Sequence, residues 1–421
     1  MISKRLLLKE TILYGVSKAI PGAVGLGFVM VFIRLIGPSE YGQYSLLLSQ
    51  CNLIVAISFG WLNQAQLRYY TSDVNHQTFG SSQIKSLFIS GLLGIGMISV
   101  LAFAQSSSLL TGGLLIWVTI SIGGFNYIKT RFQVQLMPAK IIWLTSAQAL
   151  MAILFPLLFF QVYHGNALTL LLGVGISFLC IVLIIFGKNI KNLIQKQKSP
   201  IPQENSTSII KKWFYFGSPL SIWFAMGLAL PFFDRFFINL FQSGEELGMY
   251  AGIQELLTRI FSLTLFPLVL TLHPRIMNSW NKNESNVSIK IIVYSIGLML
   301  GVGAILLLTI WIFNDFIFSM VQWAIPGLSS QFKDIILPLL LTGFLWQLSF
   351  FTHKMLELKE QTVRMVFFLF PSLLINLIGN IVFLPKYGVV ATAYTALVSA
   401  LIYCLITGCY TIAAIRKETI K

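Results

Sequence analysis

Polar residues divide the chain into twelve long apolar stretches, at 11–36, 42–67, 84–104, 109–129, 141–161, 166–187, 213–241, 247–272, 290–313, 333–353, 363–384 and 389–414. Most hold about 20 or more mainly apolar residues, the length at which a helix crosses the hydrocarbon core of a bilayer. The pattern predicts an all-α polytopic membrane protein with twelve transmembrane helices. Between the stretches the polar segments are brief, and those around Gln105 to Ser108 and Gln161 to Asn166 leave no room for a catalytic or sugar-binding domain outside the membrane. The longest polar stretch, 188–212, runs from Lys188 through Pro200 and Pro202 to Lys211-Lys212, and it reads as a basic cytoplasmic linker between six-helix halves at 1–187 and 213–421. Asn205-Ser-Thr within it matches a glycosylation sequon, by chance if the linker is cytoplasmic.

An echo supports the two halves. Glu40-Tyr-Gly42-Gln-Tyr44 and Glu246-Leu-Gly248-Met-Tyr250 share the form Glu-x-Gly-x-Tyr at a constant offset of 206 residues, about half the chain. Each copy falls between the first and second span of its half. Internal duplication in an apolar chain is a transporter signature.

Composition agrees with this picture. Hydrophobic residues make up 56% and charged ones 10%, with mean hydropathy +0.80, where a soluble domain carries about 25% charge. A net charge of +15 raises the question of nucleic acid, and the placement of the basic residues answers it. On the side of the N-terminus lie 23 of the 29 Lys and Arg, against Lys333 and Lys386 on the other, with Lys18, Arg34, Arg235 and Arg259 in or at the ends of spans. That bias is a topology signal and predicts both termini in the cytoplasm, with a basic inner face that attracts anionic lipid. Cys51, Cys180, Cys404 and Cys409 fall in spans and suggest neither disulfide nor metal site. His76, His164, His273 and His353 are scattered and read as interfacial. The first span is too long for a removable signal peptide and is expected to be retained.

Charges inside spans are costly and are candidates for function. Lys18 lies one turn before Pro21-Gly22, about 10 Å from the cytoplasmic end by helix rise. It either snorkels to the interface or faces a cavity. Arg34 reads as an anchor at the outer surface, and Arg68 ends a polar run, Gln64, Gln66, Arg68, Tyr69 and Tyr70, that either greets a polar headgroup or forms a basic and aromatic belt. In the seventh and eighth spans an antiparallel hairpin sets Asp234 and Arg235 level with Glu255 and Gln254. Arg259 shares a helix face with Glu255 and lies about 18 Å deep. This group is either a closed ion-pair lock or the lining of an aqueous cavity. In the second case Arg235 or Arg259 meets an anion, because a guanidinium fork matches pyrophosphate oxygens, and Asp234 or Glu255 exchanges a coupling cation. Pro219 and Pro231 in the seventh span, and Pro267, Pro338 and Pro371 further on, are expected to interrupt helices. The stretch from Ala391 to Ser399 reads as a tight helix interface.

Arg34-Leu-Ile-Gly-Pro-x-x-Tyr41-Gly-x-Tyr44 and Asp234-Arg235-x-x-Ile238, followed by Gly248-x-Tyr250-Ala251, resemble recurring patterns of the polysaccharide exporters of the multidrug/oligosaccharidyl-lipid/polysaccharide (MOP) flippase superfamily, the O-antigen flippases of Wzx type. The resemblance covers the whole chain. It implies two six-helix bundles forming a V around a central cavity in the bacterial inner membrane. It implies a flippase that moves an undecaprenyl-pyrophosphate-linked oligosaccharide, an O-antigen or capsule repeat unit, from the cytoplasmic to the outer leaflet by alternating access. No catalytic residue, cofactor or metal is expected, while coupling to H+ or Na+ is suggested for related members. A cationic cavity would draw its charge from Lys18, Arg68, Arg235 and Arg259, and partners would include a glycan polymerase and a chain-length protein. A drug/cation antiporter of the same superfamily is the alternative, but it favours an acidic cavity, whereas here four basic residues stand in spans against Asp234 and Glu255. A membrane-embedded glycan polymerase or ligase needs a long external loop, and 314–332 offers little besides Asp315. An assembly scaffold has no need of buried charge.

Overall fold

The computed structural model describes residues 4–70, 76–135, 137–195 and 206–419, and it is helical almost throughout. In chain order the helices are α1 (Lys4–Ser58), α2 (Gly60–Tyr69), α3 (His76–Ala104), α4 (Leu109–Val134), α5 (Pro138–Phe160), α6 (Ala167–Gln195), α7 (Ser206–Phe241), α8 (Gly244–Thr264), α9 (Phe266–Asn281), α10 (Ser285–Ala324), α11 (Lys333–Thr352), α12 (Lys354–Leu358), α13 (Thr362–Tyr387) and α14 (Val389–Thr419). Among the described residues ten helices are long and apolar enough to cross a membrane. Two features account for the difference from twelve. The expected span 247–272 is divided between α8 and α9 at Leu265, and the first two expected spans run into one helical element.

That element reverses direction at Gly37, whose φ of 81° lies in the region that only glycine enters freely. Phe28 and Tyr44 show the reversal. A straight helix would hold them about 24 Å apart, yet their ring centroids are 5.7 Å apart.

The chain divides into two compact units, Met1–Ser45 with Phe233–Lys421, and Leu46–Phe232. The boundaries cut through α1 and α7, so the units do not coincide with the halves at 1–187 and 213–421. Of the expected linker at 188–212, α6 takes in the residues to Gln195 and α7 those from Ser206; 196–205 lie outside the described residues.

Within each unit the side chains are sorted as a bilayer requires. On α3, Ser82, Ser86 and Ser90 recur every four residues and are buried, while Ile84, Phe88 and Leu92 are exposed. Lipid tails are as apolar as leucine, so apolar side chains gain nothing by hiding, and small residues that allow close approach mark the inner face. Trp61, Phe125, Leu144, Ile181 and Trp213 form the core of the Leu46–Phe232 unit. In the other unit α14 packs against α11 and α13 through Thr392, Ala393, Ala396, Ser399 and Ala400, all buried, as the Ala391 to Ser399 stretch predicts. Further along α14, Thr407 meets Thr352 of α11, oxygen to oxygen at 2.7 Å.

The prolines behave differently from expectation. Pro219, Pro231, Pro338 and Pro371 sit inside continuous helices; only Pro267 marks an end, in the first turn of α9. A proline forfeits one backbone hydrogen bond, and side-chain hydroxyls can occupy the freed acceptors. The 314–332 segment is likewise mostly helix, because α10 continues to Ala324, and Asp315 is paired there with Lys333.

Candidate functional site

The α7–α8 turn is built by its own residues. Ser243 caps α8, its hydroxyl accepting from Glu246 N at 3.2 Å while the Glu246 carboxylate accepts from Ser243 N at 3.1 Å. This capping box ends α7, starts α8 and fixes the hairpin. Against it packs the Gly37 hairpin, with the two echo glycines at the contact. A Cβ on Gly42 would lie 2.6 Å from Gly248 N, and one on Gly248 would overlap the Pro38 carbonyl. The repeated motif is therefore a pair of hairpin tips in mutual backbone contact.

Below these tips the intramembrane charges meet. Asp234 is buried, and neutral donors hold its carboxylate. Asn376 and Asn380 of α13 donate to Oδ1 at 2.8 and 3.1 Å, Tyr250 donates to Oδ2 at 3.1 Å, and Gln254 does so at 3.4 Å. Arg235, the next residue, turns away: its Nη2 donates to Gln254 Oε1 at 3.1 Å and reaches Glu255 Oε1 at 3.4 Å, and its Nη1 donates to the Ser45 carbonyl at 3.4 Å. Gln254 thus stands between the two charges, its carbonyl toward the guanidinium and its NH2 toward the carboxylate.

Glu255 is the point where cations converge. Arg235 lies on one oxygen and Arg259, one turn along α8, lies 3.6 Å from the other. Tyr41 and Ser45 from the Gly37 hairpin donate to the same carboxylate at 2.9 and 3.0 Å. Two guanidiniums thus meet at one carboxylate. The Arg259 side chain is one-third exposed and lies across Gly25 of α1, where a Cβ would overlap the guanidinium.

The structure thus brings together Asp234, Arg235, Glu255 and Arg259. Lys18 falls on α1, but its side chain lies outside the described residues. Arg68 belongs to the other compact unit, exposed on α2, with its guanidinium 5.8 Å from the Phe216 ring. Arg34 is stacked over Trp323 at 5.3 Å and donates to its carbonyl.

Sequence reasoning misses Tyr41, Ser45, Asn376 and Asn380. The two asparagines carry a usable signal, being amides four residues apart inside an apolar span, which sets them on one helix face. It also misses that His353 is fully buried inside the protein, while His273, 45% exposed, is tied to the buried Lys354. His164 is exposed as expected, and the side chain of His76 lies outside the described residues.

Apolar helices of membrane-spanning length, with lipid-facing leucines and a buried charge cluster, define a multi-pass membrane protein, and its fold is one found in solved transporters. The lipid II flippase MurJ, in an inward closed conformation, matches with a TM-score of 0.65 at 15% identity over 94% of this chain and 86% of that one. An inward-facing multidrug resistance MATE family transporter of the MOP superfamily matches with a TM-score of 0.65 at 12% identity over 98% and 96%. The Vibrio cholerae MATE transporter VcmN, in a mutant form, matches with a TM-score of 0.63 at 13% identity over 98% and 97%. No family model and no curated protein matches the chain. At these identities the likeness is one of fold.

Proposed function

We propose that the protein is a flippase that moves an undecaprenyl-pyrophosphate-linked oligosaccharide, an O-antigen or capsule repeat unit, from the inner to the outer leaflet of the bacterial inner membrane by alternating access. The observation that carries this reading is the pairing of Arg235 and Arg259 with the single carboxylate of Glu255. The Arg259 guanidinium is one-third exposed, and its planar fork suits a pyrophosphate. The fold shared with a lipid II flippase supports a lipid-linked cargo. The basic side of the chain, by the positive-inside bias, faces the cytoplasm.

Within this reading the two carboxylates divide the work. Glu255 is the fixed counter-charge of the arginines. Asp234, surrounded by neutral amides and a phenol, is the one that exchanges a proton or a small cation. Asn380 Oδ1 beside it is buried without a hydrogen-bond partner, an acceptor able to take a further donor or cation. An exchanging Asp234 would also suit a drug/cation antiporter, the second reading, which the MATE neighbours favour.

Binding separates the two. In lipid nanodiscs, native mass spectrometry should show a polyprenyl-pyrophosphate retained more strongly than the matching polyprenol, and Arg259→Ala should reduce that preference by about tenfold or more, the scale of a charge-assisted hydrogen bond. Equal retention of both lipids, with a hydrophobic organic cation bound instead, would favour the antiporter.

A further inference from the structure

Away from the Asp234 cluster, where α11 breaks at His353 and restarts as α12, five titratable side chains meet. Lys354 is 1% exposed, a rare state for a lysine. Its Nζ donates to Nδ1 of His273 on α9 at 2.8 Å and to Oε2 of Glu357 at 2.5 Å. The other Glu357 oxygen lies 3.0 Å from Nε2 of His353, and the Tyr403 hydroxyl of α14 lies 3.3 Å from His353 Nδ1.

These contacts fix the rings. An ammonium has only donors, so His273 Nδ1 holds its lone pair; a carboxylate only accepts, so His353 Nε2 carries a proton and Nδ1 accepts from Tyr403. With both imidazoles neutral, one ammonium balances one carboxylate. His273 is the member open to the surroundings, its side chain 45% exposed against 23% for Glu357.

We propose that this cluster is a proton-exchange site, in which His273 takes up one proton at Nδ1 and thereby breaks the bond from Lys354 that ties α9 to α12. A protonated Nδ1 has no lone pair for Lys354, and two cations at that separation repel. Glu357 Oε2, 3.6 Å from Nδ1, is beyond hydrogen-bond reach and already held by Lys354 at 2.5 Å, so the new N–H finds no equal bond to α12 in exchange. One proton is gained from water, and Glu357 remains a carboxylate throughout. The charged and titratable groups around His273 are Lys354, Glu357 and His353 from the α11–α12 break, with Tyr403 of α14 beyond them. On the α10 side of α9, Ser288 donates to the Ile276 carbonyl at 3.1 Å, and near its start Phe266 packs on Phe350 at 5.8 Å. Neither of those ties titrates, so protonation loosens the middle of a helix already separated from α8 by the break at Leu265. The inference is independent of the cargo.

The test is hydrogen exchange of the Phe266–Asn281 segment in the full chain in nanodiscs, at about pH 8 and about pH 5.5, either side of the histidine range and corrected for intrinsic rates. Wild-type protection should fall about tenfold on acidification. His273→Gln, whose carbonyl still accepts from Lys354 but cannot titrate, should keep the alkaline protection, lose the fall, and take up one proton fewer over that interval. Unchanged wild-type protection, or a His273→Gln protein that responds as wild type does, would overturn the proposal. Should His273→Gln lower protection at both pH values, Lys354→Met decides. It leaves His273 to titrate but removes the bond that titration breaks, so a flat response sustains the proposal and a persisting one overturns it.

Discussion

Asp234 and Glu255 belong to one cluster, yet neutral amides and a phenol hold the first, and two guanidiniums converge on the second. Their replacements should therefore differ. Glu255→Gln strips two arginines of their shared counter-charge in a mostly buried place and should cost about 3–5 kcal/mol, read as a lowered unfolding midpoint in detergent. Asp234→Asn puts a neutral amide of the same shape among neutral donors. It should cost less, about 1–3 kcal/mol, while removing the dependence of transport on the ion gradient. Equal losses of stability, with gradient dependence intact in Asp234→Asn, would deny the two carboxylates separate roles. The sequence puts all four charges in spans and allows the α7–α8 register to be counted from the turn. It does not reveal Gln254 standing between Arg235 and Asp234, because which way a guanidinium turns depends on neighbours distant in sequence, such as Ser45 and Asn376.

Helix and turn chemistry was the most legible scale. The Glu-x-Gly-x-Tyr echo is readable as a repeat, and the structure supplies its physical reason: the glycines let two hairpin tips meet backbone to backbone. Gly248→Ala would drive a methyl group into the Pro38 carbonyl, which belongs to the backbone and yields poorly. The expected cost is about 1–3 kcal/mol, seen as a drop of a few degrees in thermal midpoint. A midpoint equal to wild type would mean that the tips are not in firm contact. Breaks were less legible. Four prolines lie in unbroken helices, while α11 ends at His353, where no proline or glycine announces it. A proline removes one bond that neighbours can replace, whereas the Lys354 network is assembled from α9, α12 and α14 and leaves no local signature.

On the scale of the molecule, hydropathy is enough to identify a polytopic α-helical protein, since a bilayer demands length and apolar character from every span. The partition into units is not legible in the same way. It cuts through α1 and α7, because continuity of a helix and compactness of a packed body are separate properties. The central claim is that the arginines of this buried charge cluster handle a lipid-linked pyrophosphate. Its most direct test is glycan export in a host whose own flippase is deleted, comparing wild type with Arg259→Ala and Arg259→Lys at matched abundance in the membrane. The account predicts that wild type restores export, that Arg259→Ala loses at least about tenfold, and that Arg259→Lys recovers only part, since a point charge replaces the bidentate fork. Normal export by Arg259→Ala at normal abundance would contradict it.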